Sequence, residues 1–583
     1  MGLPFVVGGV VVALLFQLLV KKLLYPQPIP GIPYDKDAAK RISGDLPSIA
    51  AAYKEFTEWI SPIGRRSLQY GSPIHQLFMS PFTKPYVVID DPRETSDILL
   101  RRSKDFDKST SVGIWQTFVP YSTVAQSTTP EWRAQRKLWQ DTMHPDFLRR
   151  VVARNIYAAA KDLTKLWEVR CLHSNNRPID VSRDFSFAAL DAIWTATFGE
   201  RLDLVNAQIQ TIETGKQVET RGLDMHNTVQ FLNNLAATWR GSFWPALTRW
   251  RMKRNPEYRR YTEAKDREID RILLDASARF QRLLDGSSDG EEHDTCAMDL
   301  VLRRNMLAAQ KDGKPIPDPT KDIRMRDELL IFIYAGHDTT STTLQWFVKF
   351  ITNNQGAQRR LREALKAAFP GDKLPDVADL VSKDVPYLSA TMEETLRCAN
   401  TASRVLRVAK TDTELFGHKI PAGTEIVAIA TTGWHPVRVP EERRSATSRA
   451  AFEKNDGVDW TRKPNAQDLE NFAPERWLKV EENGSEVFDP SALMQNAFGG
   501  GPRGCFGKRS DGNCIHSILK TWRSRANDTR AGRRLAMMEL RIMITLTVMS
   551  FKFLPVPPEL NSFQAVEELL RTPRQCFVKL EAV

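Results

Sequence analysis

A glycine-rich stretch, Phe498-Gly-Gly-Gly-Pro-Arg-Gly-Cys-Phe-Gly507, surrounds a single cysteine, Cys505. Glycine adopts left-handed backbone and lets the main chain come close to a ligand, so the stretch reads as a tight loop wrapped around something. The electron-rich atom of the loop is the Cys505 sulfur. A thiolate stays deprotonated beside backbone N–H groups and positive charge, and the glycine amides and Arg503 offer both. The plainer alternative is a cysteine with only a structural place in the loop.

Other clusters carry polar chemistry at fixed spacing. Trp132 and Arg136 are i and i+4 neighbours on a helix expected over Glu131–Gln140. An indole N–H and a guanidinium so placed either meet one anion together or form a surface stack. The run Ala335-Gly-His-Asp-Thr-Thr-Ser-Thr-Thr343 lies midway along a helix expected over about Asp322–Thr352. Glycine costs about 1 kcal/mol against alanine in a helix, and Ser and Thr compete for backbone carbonyls. The run therefore predicts a distortion, which either opens space beside a ligand or serves packing alone. Glu394 and Arg397 are i and i+3 neighbours on a helix expected over Pro386–Asn400, a common surface pairing. A further arginine follows in Phe472-Ala-Pro-Glu-Arg476-Trp477, a segment able to clamp onto that pair.

Jointly these residues resemble the cytochromes P450, of the membrane-anchored, fungal type. The spacing of Phe498, Gly501, Arg503, Cys505 and Gly507 is similar to the family's haem-thiolate loop, which implies Cys505 as the axial iron ligand. Trp132 and Arg136 match a family motif whose members bind a haem propionate. The Ala335–Thr343 run resembles A-G-x-[DE]-T. That implies Asp338 and Thr339 as the pair delivering protons during oxygen activation, with Ala335 and Gly336 beside the haem. His337 falls on the motif's open position and receives no role. Glu394, Arg397 and Arg476 match in type and order a buried structural triad. Arg407, with Arg404 as competitor, falls where the family often places another propionate-binding arginine, and Phe498 and Arg503 join the haem contacts. Pro421–Thr424 within Lys419–Ala430 reads as a hairpin turn.

The resemblance implies a mainly α fold with a small β portion. The implied reaction inserts one oxygen atom of O2 into a hydrophobic small molecule such as a lipid or terpenoid, within secondary metabolism. The implied cofactor is haem b, iron-protoporphyrin IX held by a cysteine thiolate. NADPH acts indirectly, through NADPH–cytochrome P450 reductase, with cytochrome b5 a second candidate donor. Two other readings stand beside this one: a reductase-independent haem-thiolate isomerase or dehydratase, and an impaired haem-binding membrane protein.

The elements around these clusters set their context. Leu3–Val20 is an apolar run of eighteen residues, spanning roughly 27 Å as a helix against a hydrocarbon core of about 30 Å. No basic region precedes it and no Ala-x-Ala site follows, which argues against a cleaved signal. Lys21 and Lys22 hold the following chain in the cytosol by the positive-inside rule. Residues 1–24 thus read as a membrane anchor, 25–34 as a Pro-rich stiff hinge, and 35–583 as one catalytic domain. The expected location is the endoplasmic reticulum membrane, single-pass, with a cytosolic body.

Six scattered cysteines (171, 296, 398, 505, 514 and 576) argue against a disulfide framework. The net charge of +11 comes without a nucleic-acid motif or an aromatic-interleaved basic stripe, so a membrane or an acidic redox partner fits it better. Arg503, Lys508 and Arg509 are candidate docking points for such a partner. His75–Ile89 predicts a hairpin around Ser80-Pro-Phe82, and Asp91–Arg102 a helix. Residues 103–128 read as either a surface excursion or a substrate cover. Specificity in such folds lies in 103–128, 216–245 and 402–406.

One stretch departs from the family pattern. In P450s the cysteine loop runs straight into a helix, as C-x-G-x-x-L-A-x-x-E. Here Leu535-Ala-Met-Met-Glu539 appears only after an extra 25 residues, Ser510–Arg534, without a sustained apolar period. Removing them restores the family spacing, so 510–534 reads as an atypical insertion and as possible retained intron sequence. Cys514 and His516 are too few to make a zinc site.

Overall fold

The computed structural model describes residues 15–17, 21–79, 83–109, 115–238, 245–284, 295–430, 436–454, 468–506 and 531–583. Helices α1 (Pro92–Leu100) and α2 (Pro130–Leu138) start alike. Each has proline in its first turn and a side-chain cap, Asp91 accepting from the Glu94 amide and Thr129 from the Trp132 amide. Proline gives up an amide that a helix start cannot use, and the cap satisfies one that would otherwise be orphaned. Eight further helices build the body: α3 (Ala153–His173), α4 (Ser182–Phe198), α5 (Arg221–Thr238), α6 (Pro256–Leu284), α7 (Ile323–Asn353), α8 (Gln355–Ala368), α9 (Pro386–Ala399) and α10 (Ala531–Ser550).

The core forms around α7. Asp322 caps it by accepting from the Arg324 and Met325 amides, and its 31 residues run roughly 46 Å at about 1.5 Å each. Helices α4, α9 and α10 pack along it, and from Asp327 to Thr352 it is buried except at 335, 336, 338 and 339. A helix apolar on most sides belongs inside a fold. Beside it Trp167 packs its indole edge-on against Phe185, Phe551 and Phe553 at 5.4, 5.8 and 6.1 Å.

The expected distortion of α7 is absent. The helix runs unbroken through Ala335–Thr343 because its hydroxyls turn inward. Thr339 and Thr343 each donate at 2.7 Å to the carbonyl four residues back, supplementing the ladder without replacing it. Gly336 has a packing cause: a Cβ there would lie 2.6 Å from Ile193 Cγ1 of α4. The missing side chain serves the approach of two helices.

The β portion is one five-stranded sheet with smaller ribbons. Its strands are β1 (Ile74–Leu77), β2 (Tyr86–Ile89), β3 (Phe106–Lys108), β4 (Arg404–Ala409) and, after a ribbon of β5 (Thr413–Leu415) and β6 (His418–Ile420), β7 (Glu425–Ile429). The order is β1-β2-β7-β4-β3. The pairing of β1 with β2 is antiparallel, as the 75–89 pattern predicts; Ser80–Phe82 lie outside the described residues. Pro421–Thr424 does form a turn, with the Thr424 amide donating to the Pro421 carbonyl at 3.1 Å. It does not close a hairpin, because β6 pairs with β5 while β7 pairs with β2 and β4. The turn hands the chain from one sheet to another.

Most of the expected anchor, 1–14 and 18–20, lies outside the described residues, and among the described residues no helix is long and apolar enough to cross a membrane. Part of the Pro-rich stretch is docked on the catalytic body. Gln76 accepts from the Ile29 amide at 2.7 Å and donates to the Ile29 and Ile32 carbonyls at 2.9 and 2.8 Å. Ile29 and Ile32 are both buried by this contact.

Candidate active site

The cysteine loop is folded on itself. The Gly499 amide donates to the Asn496 carbonyl (2.8 Å), the Gly504 amide to Gly501 (3.0 Å) and the Cys505 amide to Phe498 (2.8 Å). Gly501 sits at φ +63°, and a Cβ there would be 2.0 Å from the Leu99 carbonyl oxygen. The loop can rest on the end of α1 only because that position carries no side chain. Cys505 is exposed and outside any disulfide. Arg136 of α2 donates to the Gly504 and Cys505 carbonyls at 2.9 and 3.4 Å. Burial lowers the pKa of this guanidinium, and charge at Cys505 works the other way. Phe506 meets Phe332 of α7 edge to face at 5.4 Å. Residues i and i+3 share a helix face, so the loop stands against the face of α7 that carries Ala335, an exposed residue.

Cations converge beside the loop. Arg503 donates to the Gln126 carbonyl at 2.7 Å and lies 4.3 Å over the Trp132 ring, while its Nη1 is buried without a partner. Lys108 faces Arg407 across the β3–β4 ladder. Burial pushes Arg407 and Arg503 down to about 10 and, with both guanidiniums nearby, Lys108 down to about 7. Asp107 opposes this only in part, being itself hydrogen-bonded to Thr128 at 2.5 Å. Such a cluster suits a ligand with more than one negative charge.

Strand alternation separates the two candidate arginines. Positions 404 and 407 point to opposite faces of β4, and Arg404 is engaged with Glu567 at 2.8 Å while stacking on Trp59. Arg407 is therefore the one facing the cluster. The Trp132 indole N–H donates to the Thr123 carbonyl at 2.9 Å, and its ring lies against the guanidiniums of Arg503 and Arg136.

On α7, Asp338 accepts from Asn233 of α5 at 2.6 Å. Burial pushes its carboxyl up to about 6, with the Asn233 bond acting against the shift. The same acid is thus poised to hold or release a proton near neutral pH. Thr340, one residue past Thr339, donates to Glu539 of α10 at 2.9 Å, and burial raises Glu539 to about 8. This joins α10 to α7.

The loop over the site is tied down by acids of α7. Asp327 accepts from the Tyr121 amide at 2.8 Å, and Glu328 from the Thr123 amide, the Thr123 hydroxyl and Gln135 at 2.8, 2.6 and 2.9 Å. Between this loop, α5, α6 and α7 lies a cavity of about 380 Å³, lined by Phe118, Val119, Leu232, Tyr258, Leu330 and Tyr334 among others. Thr117, Phe118 and Val119 of the 103–128 stretch line this cavity.

Glu394, Arg397 and Arg476 meet in the core. Arg397 grips both Glu394 oxygens at 2.8 Å, Arg476 Nε donates at 2.9 Å, and the Ala473 amide and Trp477 indole add bonds of 2.9 Å each. Burial alone would raise the Glu394 pKa, but these donors more than offset it and hold it below the ordinary range.

A cytochrome P450 family model matches residues 68–435. The chain is 30% identical, over an alignment of 619 positions, to cytochrome P450 monooxygenase TRI13 of Fusarium sporotrichioides, covering 98% of this chain and 99% of that one. This chain belongs to the cytochrome P450 family. A second fungal P450 monooxygenase, GME11363 of Pestalotiopsis microspora, is 31% identical, with 99% of this chain and 98% of the other covered. The crystal structure of a cytochrome P450, CYP102L1, shares the fold at 17% identity, with a TM-score of 0.66 over 96% of this chain and 100% of that one. As a P450 of the fungal type, the protein is an oxidoreductase of the monooxygenase class. The family's cofactor is haem held by a thiolate.

The residues present fit that group. An exposed thiol stands at the tip of a loop, against the accessible Ala335 and Thr339 of α7. Arg503 offers a buried, unpartnered N–H beside Arg407 and Lys108 for carboxylates. Lys108 was not legible in the sequence of this P450, because only the strand pairing of residues some three hundred apart brings it to Arg407. The Asn233–Asp338 bond was hidden for the same reason. The Trp477 indole on Glu394 lay next to a quoted motif and could have been found from Arg476.

Proposed function

We propose that the chain inserts one oxygen atom of O2 into a hydrophobic small molecule of the lipid or terpenoid kind. Electrons come from NADPH through NADPH–cytochrome P450 reductase, and the body is held at the endoplasmic reticulum membrane by residues 1–24. The observation that carries this reading is the meeting of the Cys505 loop with the face of α7 that bears Ala335, through Phe506 and Phe332. Haem bound through Cys505 supplies the activation of O2.

The chain's own groups do the rest. Arg136 fixes the loop carbonyls, so the Cys505 sulfur keeps its direction. Arg407, Arg503 and Lys108 bind and orient the two carboxylates of the cofactor, and Trp132 supports the guanidiniums. Asp338 holds a proton near neutral pH and passes it on beside Thr339. Glu394, Arg397 and Arg476 hold the layer beneath the loop. The cavity of about 380 Å³ sets Phe118, Val119, Leu232 and Leu330 beside Thr117, Thr262, Lys253 and Lys265, which suits a hydrophobic substrate that carries polar groups.

Product formed under ¹⁸O2 carries one ¹⁸O atom. Replacing Asp338 by Asn lowers kcat by about 100-fold or more without altering the haem spectrum. Product free of ¹⁸O would instead favour an isomerase or dehydratase.

A further inference from the structure

His337 shares a buried hydrogen-bonded line with two residues from other helices. Its Nε2 is 2.9 Å from Ser186 Oγ of α4, and the same Oγ is 3.1 Å from His226 Nε2 of α5. On its other side His337 Nδ1 faces Asp338 Oδ1 at 3.7 Å and has no hydrogen-bond partner. His337 is fully buried and His226 nearly so; the next residue of α5, Asn227, is exposed and its side chain favours the charged imidazole of His226. We infer that His226, Ser186 and His337 form a relay that carries protons from the α5 surface to Asp338, making His337 and Ser186 positioning residues for this P450. The inference rests on the role proposed above for Asp338.

The hydrogen-bonding arithmetic allows two orders through the serine, and the relay uses one of them. Burial holds both imidazoles well below their ordinary range, at about 4, so each ring carries one N–H and one lone pair. A serine hydroxyl donates once. If it donates to His337 Nε2, it accepts from His226 Nε2–H, and His337 then keeps its proton on Nδ1, towards the Asp338 carboxylate. One step then balances. A proton enters at His226 Nδ1, a buried atom without a hydrogen-bond partner beside the exposed Asn227; His226 Nε2–H passes to Ser186 as the serine proton passes to His337 Nε2, and His337 Nδ1–H passes to Asp338. The rings end as the opposite tautomers and reset by turning over.

The last gap, 3.7 Å, exceeds the ~3.0 Å of a hydrogen bond. Asp338 holds Asn233 with its other oxygen, so the carboxylate closes the gap by pivoting about that bond. A histidine buried only for packing needs no donor-to-acceptor order running through a serine.

The test uses the full-length, haem-loaded protein labelled with ¹⁵N-histidine, together with Ser186→Ala and Ser186→Thr. Imidazole nitrogen shifts report the tautomer directly. The relay predicts His337 protonated on Nδ1 in the native protein and in Ser186→Thr, and a changed His337 signature in Ser186→Ala. With reductase supplied, NADPH-dependent O2 consumption falls at least about tenfold in Ser186→Ala and is restored in Ser186→Thr, with haem content equal. A His337 proton on Nε2, or Ser186→Ala turning over like the native protein, overturns the relay and leaves Asp338 untouched. Full turnover of Asp338→Asn overturns the role of Asp338 itself, whatever tautomer His337 shows.

Discussion

Excising Ser510–Arg534 raises haem affinity by at least about tenfold. Part of the cause lies in folding: a connection lengthened from about two to about 27 residues costs roughly 2 kcal/mol in closure, which lowers the folded fraction able to hold haem. The other part is electrostatic. With the stretch removed, Arg509 joins Leu535 and the Cys505 loop runs directly into α10. The first N–H groups of that helix then face the thiolate, and helix starts favour anions. Helix α10 already sits where the shorter chain needs it, since Glu539 reaches Thr340 and its buried side packs into the main core. The check is haem titration of the full and shortened chains in parallel. Equal, stoichiometric binding by both would show that 510–534 is a tolerated loop. Transcript reads crossing the whole stretch in mature message would separately remove the intron reading.

Replacing Glu394 by alanine destabilises the fold by about 3–5 kcal/mol. The carboxylate accepts from two buried arginines, a buried indole and a half-buried amide. Its removal leaves two guanidiniums facing each other without a counter-charge, which is the costly way to break a buried ion pair. Glu394→Gln costs less and separates charge from shape. The Glu394 pKa is lowered in the folded state, so its stabilisation is present above its unfolded value and is lost as pH falls through the folded one. Urea unfolding across acidic pH should therefore show a falling limb in the native protein that is shallower in Glu394→Gln. An alanine variant as stable as the native protein would mean the triad does not hold the core together.

The readable parts of the molecule were those in which one segment holds its own partners. The 31-residue α7, the Glu394–Arg397 pair and the capped starts of α1 and α2 follow from local periodicity and spacing. Misread features were those where a residue had a choice of partners. The hydroxyls of Thr339 and Thr343 chose their own helix carbonyls, so the expected distortion did not form. Arg404 and Arg407 were inseparable until the strand placed them on opposite faces. Lys108, Asn233 and the Ser186–His337 contact depend on tertiary pairing and leave no trace in local pattern. Motif reading passed over His337, because an open position in a motif says nothing of what the neighbouring helices bring to it.

Every role assigned above depends on the sulfur at position 505 being the atom that meets iron. Iron K-edge absorption of haem-loaded protein tests this directly. The native protein should show a sulfur scatterer in the iron's first coordination sphere, and Cys505→Ser, loaded to equal haem content, should lose it. A sulfur scatterer that survives the substitution, or that is missing from the native protein, would contradict the account.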